Sequence, residues 1–276
     1  MFLLSIALPI AAVLGYVLFV YALYRYQGQF LYRPVVTIPD RERAGLADAV
    51  VVPLQTSDGL TLTAWYLPPP TPDSFTVLYF HGNGSHIGHR GARARQIQSL
   101  GWGVLLLGYR GFGGNPGYPS EEGLMNDARA GIAALRGFGV PANRLLLWGE
   151  SLGTGVAVGM AAETDIAALL LEHPYSSITE ASQGQYPYVP VRWLLKDHYN
   201  SFAHIPQVRA PILVMQGADD RLVPPWMGRK LIAAAKVPTQ LWTVEGAGHE
   251  DLTAYGGLEI VARFVETYAG PHPLTR

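Results

Sequence analysis

Short apolar, β-prone runs alternate with longer helical segments over most of this 276-residue chain. Such uninterrupted apolar runs are typical of strands buried on both faces, and strand–helix alternation predicts a mostly parallel sheet with helices on both faces. The predicted buried strands cover residues 75–80, 104–107, 144–148, 167–171, 212–215 and 240–244, and the predicted helices cover residues 121–138, 152–163, 225–236 and 258–268. Two further runs, residues 49–54 and 60–67, flank Ser57-Asp58-Gly59 and predict a β-hairpin. We therefore expect one large α/β domain.

The chain begins with a long uncharged segment. Residues 2–24 contain no charged side chain. As a helix they would span about 34 Å, enough to cross a hydrocarbon core of roughly 30 Å. A buried core helix of this length without a polar face is unusual. A cleaved signal peptide fits less well, because no Lys or Arg precedes the run and no small-residue cleavage site follows it closely. We expect a transmembrane helix over residues 1–25, a linker over residues 26–46 and an α/β domain over residues 47–276.

Basic residues follow the uncharged segment rather than precede it. They are Arg25, Arg33, Arg41 and Arg43. Positive charge next to a membrane span favours the cytoplasmic side. We therefore expect a single-pass membrane protein whose α/β domain lies on the cytoplasmic side.

The composition excludes several classes of function. The chain has 20 Lys and Arg against 21 Asp and Glu, a net charge of -1, so it lacks the basic excess that nucleic-acid binding requires. Its hydrophobic content of 49% and charged content of 15% exclude a disordered chain. With no cysteine, it has no disulfide, thiol nucleophile or cysteine-based metal site.

A nucleophile motif lies between a predicted buried strand and a predicted helix. Gly149-Glu150-Ser151-Leu152-Gly153 has the pattern G-x-S-x-G in the strand–turn–helix context where it acts as a nucleophile elbow. Gly149 and Gly153 allow the strand and the helix to approach each other, and the strained turn lifts the Ser151 hydroxyl above the sheet edge. A glycine-rich turn with a serine N-cap is the alternative. The context favours a nucleophilic serine.

A serine nucleophile needs a histidine base and an acid that orients it, expected in the chain order serine, acid, histidine. His249 fits the base, because it lies in a glycine-rich loop between the last predicted strand and the last predicted helix. Three other histidines follow Ser151 but precede the candidate acids: His173, His198 and His204.

Two adjacent aspartates, Asp219 and Asp220, follow the predicted strand over residues 212–215 and compete for the acid position. One of them is expected to cap the turn instead. We prefer Asp220, which lies one residue deeper in the loop. Asp251 is a weaker third candidate.

The loop after the strand over residues 75–80 is expected to complete an oxyanion hole. It contains His81-Gly82-Asn83-Gly84, and its glycines let the backbone approach a substrate. The backbone N–H groups of Asn83 and Leu152 are the predicted donors. His81, His86 and His89 would be an alternative metal cluster, but no carboxylate accompanies them, so we expect no metal and expect His81 to orient the loop.

Five motifs in order resemble the α/β-hydrolase superfamily, in particular the membrane-anchored bud-emergence-type serine hydrolases and the related α/β-hydrolase-domain depalmitoylases. The motifs are His81-Gly82-Asn83-Gly84, Tyr109-Arg110-Gly111-Phe112-Gly113, the G-x-S-x-G motif, Gly217-x-x-Asp220-x-x-Val223-Pro224, and Gly248-His249. The resemblance covers roughly residues 47–268. It implies an α/β-hydrolase fold and places the triad acid at Asp220 rather than Asp219.

The resemblance implies acyl transfer through a Ser151–His249–Asp220 triad, with no cofactor. We expect a serine hydrolase that cleaves acyl esters or thioesters. The short stretch between residues 171 and 212 leaves room for only a minimal lid, and its aromatics between residues 185 and 195 are candidates to line an acyl pocket. A short helix that packs over the sheet edge is the alternative for these residues. The membrane helix then favours a small-molecule or lipid-like acyl substrate. A serine peptidase and a catalytically idle binding protein of the same fold are the alternatives.

Overall fold

The structure is a computed structural model that describes residues 2–249 and 252–270. Its first element, helix α1, occupies Phe2–Leu31. Within it, Ala7–Leu31 is long and apolar enough to cross a membrane, and its most apolar stretch is not buried against the rest of the chain. The helix therefore continues past residue 25, where the sequence placed the end of the anchor, into the predicted linker. The division into anchor, linker and α/β domain stays a prediction.

The chain after α1 contains an eight-stranded sheet with the strand order β1-β2-β4-β3-β5-β6-β7-β8. The strands are β1 (Val50–Gln55), β2 (Thr61–Leu67), β3 (Thr76–Phe80), β4 (Gly103–Leu106), β5 (Leu145–Glu150), β6 (Ala168–Glu172), β7 (Ile212–Gly217) and β8 (Thr239–Val244). Strand β2 pairs antiparallel with β1 and β4, and the pairs from β4 through β3 to β8 are parallel. Each predicted strand is present within a few residues of its expected bounds, and the mostly parallel sheet is confirmed.

Helices cover both faces of the sheet, as predicted. They are α2 (Gly91–Ser99), α3 (Glu121–Gly137), α4 (Leu152–Glu163), α5 (Ile178–Gln185), α6 (Val191–Leu194), α7 (Ser201–His204), α8 (Trp226–Ala234) and α9 (Gly257–Tyr268). Successive residues of a strand point to opposite faces. Thus Leu78 of β3 packs in one buried cluster with residues of α3, α4 and α8, whereas its neighbour Val77 packs in a second cluster with residues of α2 and α9. This two-faced burial explains why the parallel strands are almost entirely apolar.

The chain between β6 and β7 forms a short insertion, residues 178–204, which contains α5, α6 and α7. It begins at the carboxyl end of β6, the edge of a parallel sheet where ligands bind in α/β folds. The predicted minimal lid falls on this insertion and stays a prediction. Helices α2, α5 and α7 were not predicted, whereas α6 lies in the segment for which a short helix was the alternative to a pocket wall.

Candidate active site

Ser151 lies at the turn between β5 and α4 in a backbone conformation that few L-residues adopt. Its φ is 48° and its ψ is -114°. Such strain costs about 1–3 kcal/mol and persists where surrounding contacts enforce it. Here the Ser151 N–H donates to the Glu172 carbonyl at 2.9 Å, and the Ser151 carbonyl accepts from the Thr154 N–H at 2.9 Å. The serine is therefore held at the carboxyl edge of the sheet, as the motif predicts.

The two glycines of the motif are required by close backbone approaches. A Cβ atom at Gly149 would collide with the Gly153 carbonyl, and a Cβ atom at Gly153 would collide with the Phe80 carbonyl. The backbones of β3, β5 and α4 therefore meet at this turn with no room for side chains at these two positions.

Replacing Gly153 with alanine is expected to lower the free energy of unfolding by about 1–3 kcal/mol, because the added methyl group must displace the Phe80 backbone. Thermal or denaturant unfolding of the full chain in detergent measures this change. Gly137→Ala is the matched control, since a Cβ atom there meets nothing within 4 Å. The control should be as stable as the wild type or slightly more stable. Equal stability of both variants would contradict the close approach.

The structure brings Ser151, His249 and Asp220 together although they are far apart in the chain. His249 lies in the loop between β8 and α9, and its Nε2 atom is 3.0 Å from Ser151 Oγ. Its Nδ1 atom is 2.7 Å from Asp220 Oδ2. Both contacts have hydrogen-bond length. The three side chains thus form a continuous chain from a hydroxyl through an imidazole to a carboxylate.

Of the two neighbouring aspartates, only Asp220 faces His249. Asp220 is buried and Asp219 is exposed. The backbone N–H of Asp219 donates to the Ala247 carbonyl at 3.0 Å, which ties this loop to the one that carries His249. Asp251, the third candidate, lies outside the described residues.

Asp220 accepts four hydrogen bonds. Its Oδ1 atom accepts from the N–H groups of Leu222 at 2.9 Å and Val223 at 2.8 Å, and its Oδ2 atom accepts from His249 and from His173 at 2.9 Å. Burial raises the pKa of Asp220, but these hydrogen bonds outweigh burial and hold the pKa well below the ordinary value of a carboxyl. An ionised carboxylate only accepts, so His249 must donate through Nδ1–H, which leaves its Nε2 free to accept the Ser151 proton.

His173 contacts the same carboxylate, and the sequence did not predict this. It directly follows β6, is buried, has a φ of 54° and donates through Nδ1 to Asp220 Oδ2. Its ring centroid is 4.6 Å from that of His249. The expected chain order of serine, acid and histidine excludes His173 as the base, because it precedes Asp220 in the chain. The sequence signal for this contact is the position of His173 at the end of a central parallel strand, because the ends of such strands share one edge of the sheet.

Replacing His173 with alanine is expected to lower kcat/KM roughly tenfold or more, because one hydrogen bond to the ionised Asp220 is lost. His173→Asn should restore most of the activity, because asparagine tolerates a positive φ and offers an N–H donor near the Nδ1 position. Steady-state hydrolysis of one ester by the three proteins provides the measurement. Equal activity of all three would show that this hydrogen bond has no influence on the reaction.

The predicted oxyanion donors lie on two segments that flank Ser151. Leu152 begins α4, so its N–H belongs to the first turn, where helical N–H groups have no partner within the helix. The loop that carries Asn83 lies against the nucleophile, since a Cβ atom at Gly82 would be 3.4 Å from Ser151 Cβ. The role of these two amides stays a prediction.

The end of α1 holds the side chain of Asn83. Asn83 Nδ2 donates to the Leu31 carbonyl at 2.7 Å, and Asn83 Oδ1 accepts from the Arg33 N–H at 2.8 Å. The last turn of the apolar helix is thus bonded to the loop expected to supply an oxyanion donor. The sequence did not predict this link.

His81 is buried against the rings of Tyr109 and Phe112, with centroid distances of 4.5 Å and 5.4 Å. Burial lowers the pKa of His81 to about 4, so the ring is neutral at pH 7. Its Nδ1 atom is 2.8 Å from the Gly82 carbonyl and, as a neutral donor, orients the loop.

Ion pairs support the strand ends beside the nucleophile. Glu150 accepts from the Tyr79 hydroxyl at 2.7 Å and from Arg90 Nε at 2.7 Å, and Arg93 pairs with Glu172 at 3.0 Å. Burial raises the pKa of Glu150, but Arg90 and the other donors outweigh burial and lower it below its ordinary value. Glu150 therefore stays ionised next to Ser151.

Within the described residues, one group could offer three ligand atoms to a metal ion: His173, Asp220 and His249, whose ligand atoms lie within 4.8 Å of one another. The hydrogen bonds from both imidazoles to Asp220 already account for this arrangement. His81, His86 and His89 form no such group within the same part of the chain.

A cavity of about 440 Å³ opens onto Ser151. Its walls come from the end of α1 and from the insertion, with apolar side chains such as Leu23, Phe30, Ile178 and Leu194. This volume lies within the range of small-molecule sites. Of the predicted pocket aromatics, Tyr186 lines the cavity, whereas Tyr188 and Trp193 do not and are 88% and 87% exposed.

This chain is similar in sequence to one family model and to several known proteins. The model of a family described as "Serine aminopeptidase, S33" matches residues 72–202. An uncharacterized protein of Mycobacterium tuberculosis is 38% identical over 94% of this chain and 95% of its own length. The α/β-hydrolase domain-containing protein WAV2 of Arabidopsis thaliana is 30% identical over 78% of both chains. The lysophosphatidylserine lipase ABHD12 of Macaca fascicularis is 33% identical over 62% of this chain and 48% of its own.

Solved structures show the same fold at low sequence identity. A Pyrococcus furiosus esterase superimposes with a TM-score of 0.67 at 20% identity, over 87% of this chain and 97% of its own. A puromycin-hydrolyzing peptidase of Mycobacterium tuberculosis superimposes with a TM-score of 0.69 at 23% identity, over 84% of this chain and 41% of its own. These structures share the fold, and the Arabidopsis thaliana relative, 30% identical over 78% of both chains, shows that the chain belongs to the α/β-hydrolase family.

Proposed function

We propose that this hydrolase of the α/β family is a membrane-anchored serine hydrolase that cleaves acyl esters or thioesters. The observation that carries the proposal is the hydrogen-bonded chain from Ser151 Oγ to His249 Nε2 at 3.0 Å and from His249 Nδ1 to Asp220 at 2.7 Å. This arrangement makes a serine hydroxyl nucleophilic at neutral pH.

In the proposed reaction, Ser151 Oγ attacks the acyl carbon while His249 Nε2 takes the hydroxyl proton. Asp220 keeps His249 in the required tautomer and stabilises the imidazolium. The backbone N–H groups of Asn83 and Leu152 stabilise the oxyanion, each donor contributing about 2.7–4 kcal/mol to lowering the barrier. The carbon–oxygen or carbon–sulfur bond then breaks, and His249 protonates the departing alcohol or thiol. Water, deprotonated by His249, hydrolyses the acyl-enzyme and regenerates Ser151.

The apolar cavity beside Ser151 supports an acyl substrate, and the relative named as a lysophosphatidylserine lipase supports a lipid-like one. The second candidate is a serine peptidase. It is favoured by the family description as a serine aminopeptidase and by the structural neighbour named as a peptidase.

Hydrolysis of p-nitrophenyl esters of rising chain length, compared with aminoacyl p-nitroanilides, decides between these substrate classes. We expect the full chain in detergent to prefer medium-chain esters, because the cavity is lined by apolar side chains. Ser151→Ala supplies the background rate. Turnover of the anilides equal to or faster than that of the esters would favour the peptidase.

The proposal places the α/β domain on the cytoplasmic side, because Arg25 and Arg33 follow the apolar helix. The chain has no cysteine, so Ala142→Cys, at an exposed position, would carry a unique thiol. In intact cells this thiol should resist a membrane-impermeant maleimide and react after lysis. Reaction in intact cells would reverse the orientation.

A further inference from the structure

Part of the insertion runs alongside α1 and reaches the apolar stretch of that helix. The Tyr16 hydroxyl donates to the Tyr188 carbonyl at 2.7 Å, and Gln27 Nε2 donates to the Leu194 carbonyl at 3.0 Å. Gln27 also accepts from the Lys196 N–H at 2.7 Å. Tyr16 and Gln27 are about three turns, or roughly 16 Å, apart on a helix. Residues 188–196 therefore run alongside α1 over that length.

The contact at Tyr16 lies deeper in the predicted membrane span than Arg25, the residue at which α1 would leave the hydrocarbon core. Arg25 is the first charged residue after the uncharged segment, and charged side chains next to a span mark the interface. Tyr16 is about 13 Å deeper along the helix axis, close to the roughly 15 Å thickness of one hydrocarbon leaflet. With α1 across a membrane, the bond from the Tyr16 hydroxyl would hold the Tyr188 carbonyl inside the same leaflet.

The surface of this part of the insertion suits a lipid environment. We call residues 186–194 the aromatic loop. Its side chains Tyr188 and Trp193 are 88% and 87% exposed, and Arg192 is its one charged residue. Both rings present large apolar surfaces, and the Tyr188 carbonyl already has a hydrogen-bond partner in Tyr16, as a backbone group in lipid requires. Arg192 can extend its guanidinium to the interface while its stem stays in lipid.

The aromatic loop and α1 are also two walls of the catalytic cavity. Tyr186 and Leu194 of the loop line it together with Leu23 and Phe30 of α1, and Ser151 lines the same cavity. Entry of both elements into the leaflet would bring two walls of the cavity next to lipid.

We propose that the aromatic loop inserts into the same leaflet as the adjoining end of α1, so that an acyl chain passes from the bilayer directly into the cavity above Ser151. The proposal rests on the membrane anchoring proposed above and adds a second membrane contact. It assigns the exposed Tyr188 and Trp193 to lipid contact and the apolar cavity wall to the acyl chain.

Site-directed spin labelling tests the depth of the loop. The chain has no cysteine, so each variant of the full chain carries a single label. The test positions are Tyr188→Cys and Trp193→Cys; the bond from Tyr16 goes to the backbone at residue 188 and survives the change. Val13→Cys is the reference inside α1, and Ala142→Cys, just before β5 at the opposite edge of the sheet from Ser151, is the reference in water. Collisional relaxation by oxygen and by a water-soluble nickel chelate is measured in phosphatidylcholine vesicles.

We expect the ratio of oxygen to nickel relaxation at residues 188 and 193 to be several-fold higher than at residue 142 and to approach that at residue 13. A ratio at 188 and 193 equal to that at 142, with residue 13 in lipid, would overturn the proposal while leaving α1 as an anchor. A water-exposed label at residue 13 would overturn the anchoring and this inference together. The measurement uses no substrate, so failure of the proposed hydrolytic chemistry would appear separately, as loss of Ser151 reactivity in a protein whose loop lies in lipid.

Discussion

Replacing Ser151 with alanine is expected to lower kcat for the best ester substrate by a factor on the order of 10⁶, because no other group replaces the lost nucleophile. The methyl group leaves His249 and Asp220 in place, so the residual rate reports the oxyanion donors and binding alone. Thermal unfolding should show an intact fold.

The matched control is Ser182→Ala, which removes a hydroxyl from the wall of the same cavity. It should keep wild-type turnover within a small factor. A Ser151→Ala protein with turnover close to the wild type would mean that the nucleophile is elsewhere.

Replacing Asp220 with asparagine is expected to lower kcat about 10⁴-fold. An amide that donates to His249 Nδ1 would place the imidazole proton on Nε2, which then cannot accept the Ser151 proton. The buried site would also lose the carboxylate that stabilises the imidazolium. Steady-state kinetics of one ester, with unfolding curves for both proteins, provides the measurement.

Asp219→Asn is the control for this change, since Asp219 is the exposed neighbour with the same chemistry. Its link to Ala247 runs through the backbone and is unaffected, so activity should stay near that of the wild type. Loss of activity in Asp219→Asn, with retention in Asp220→Asn, would reverse the assignment of the acid. Wild-type activity in both variants would favour Asp251 as the acid.

Much of the fold could be predicted because the central strands are buried on both faces. Strands β3, β4 and β6 are buried at every position, so the corresponding segments are almost entirely apolar and stand out from the helices around them. The elbow at Ser151 was also predictable, because its two glycines are required by local contacts that leave a pattern in the sequence. Helix α2 was missed, since only Gly91, Ala94 and Ile97 are buried in a short, strongly polar segment.

The contacts between α1 and the catalytic cavity could not be predicted from local patterns. The charge at Arg25 marks the end of an apolar run, but the helix continues to Leu31 because Gln27 and the last turn have partners far along the chain. The bond between His173 and Asp220 likewise depends on how two strand ends meet. Such long-range pairings follow from the folded sheet rather than from sequence periodicity.

The most direct test of a nucleophilic Ser151 is covalent labelling of the folded full-length protein with a fluorophosphonate, read by intact mass and peptide mapping. The triad geometry predicts one adduct, on Ser151, which disappears in Ser151→Ala and forms far more slowly in Asp220→Asn. A folded protein that forms no adduct, or one that is labelled at another residue, would contradict the proposed serine hydrolase and favour a binding protein that uses the same fold.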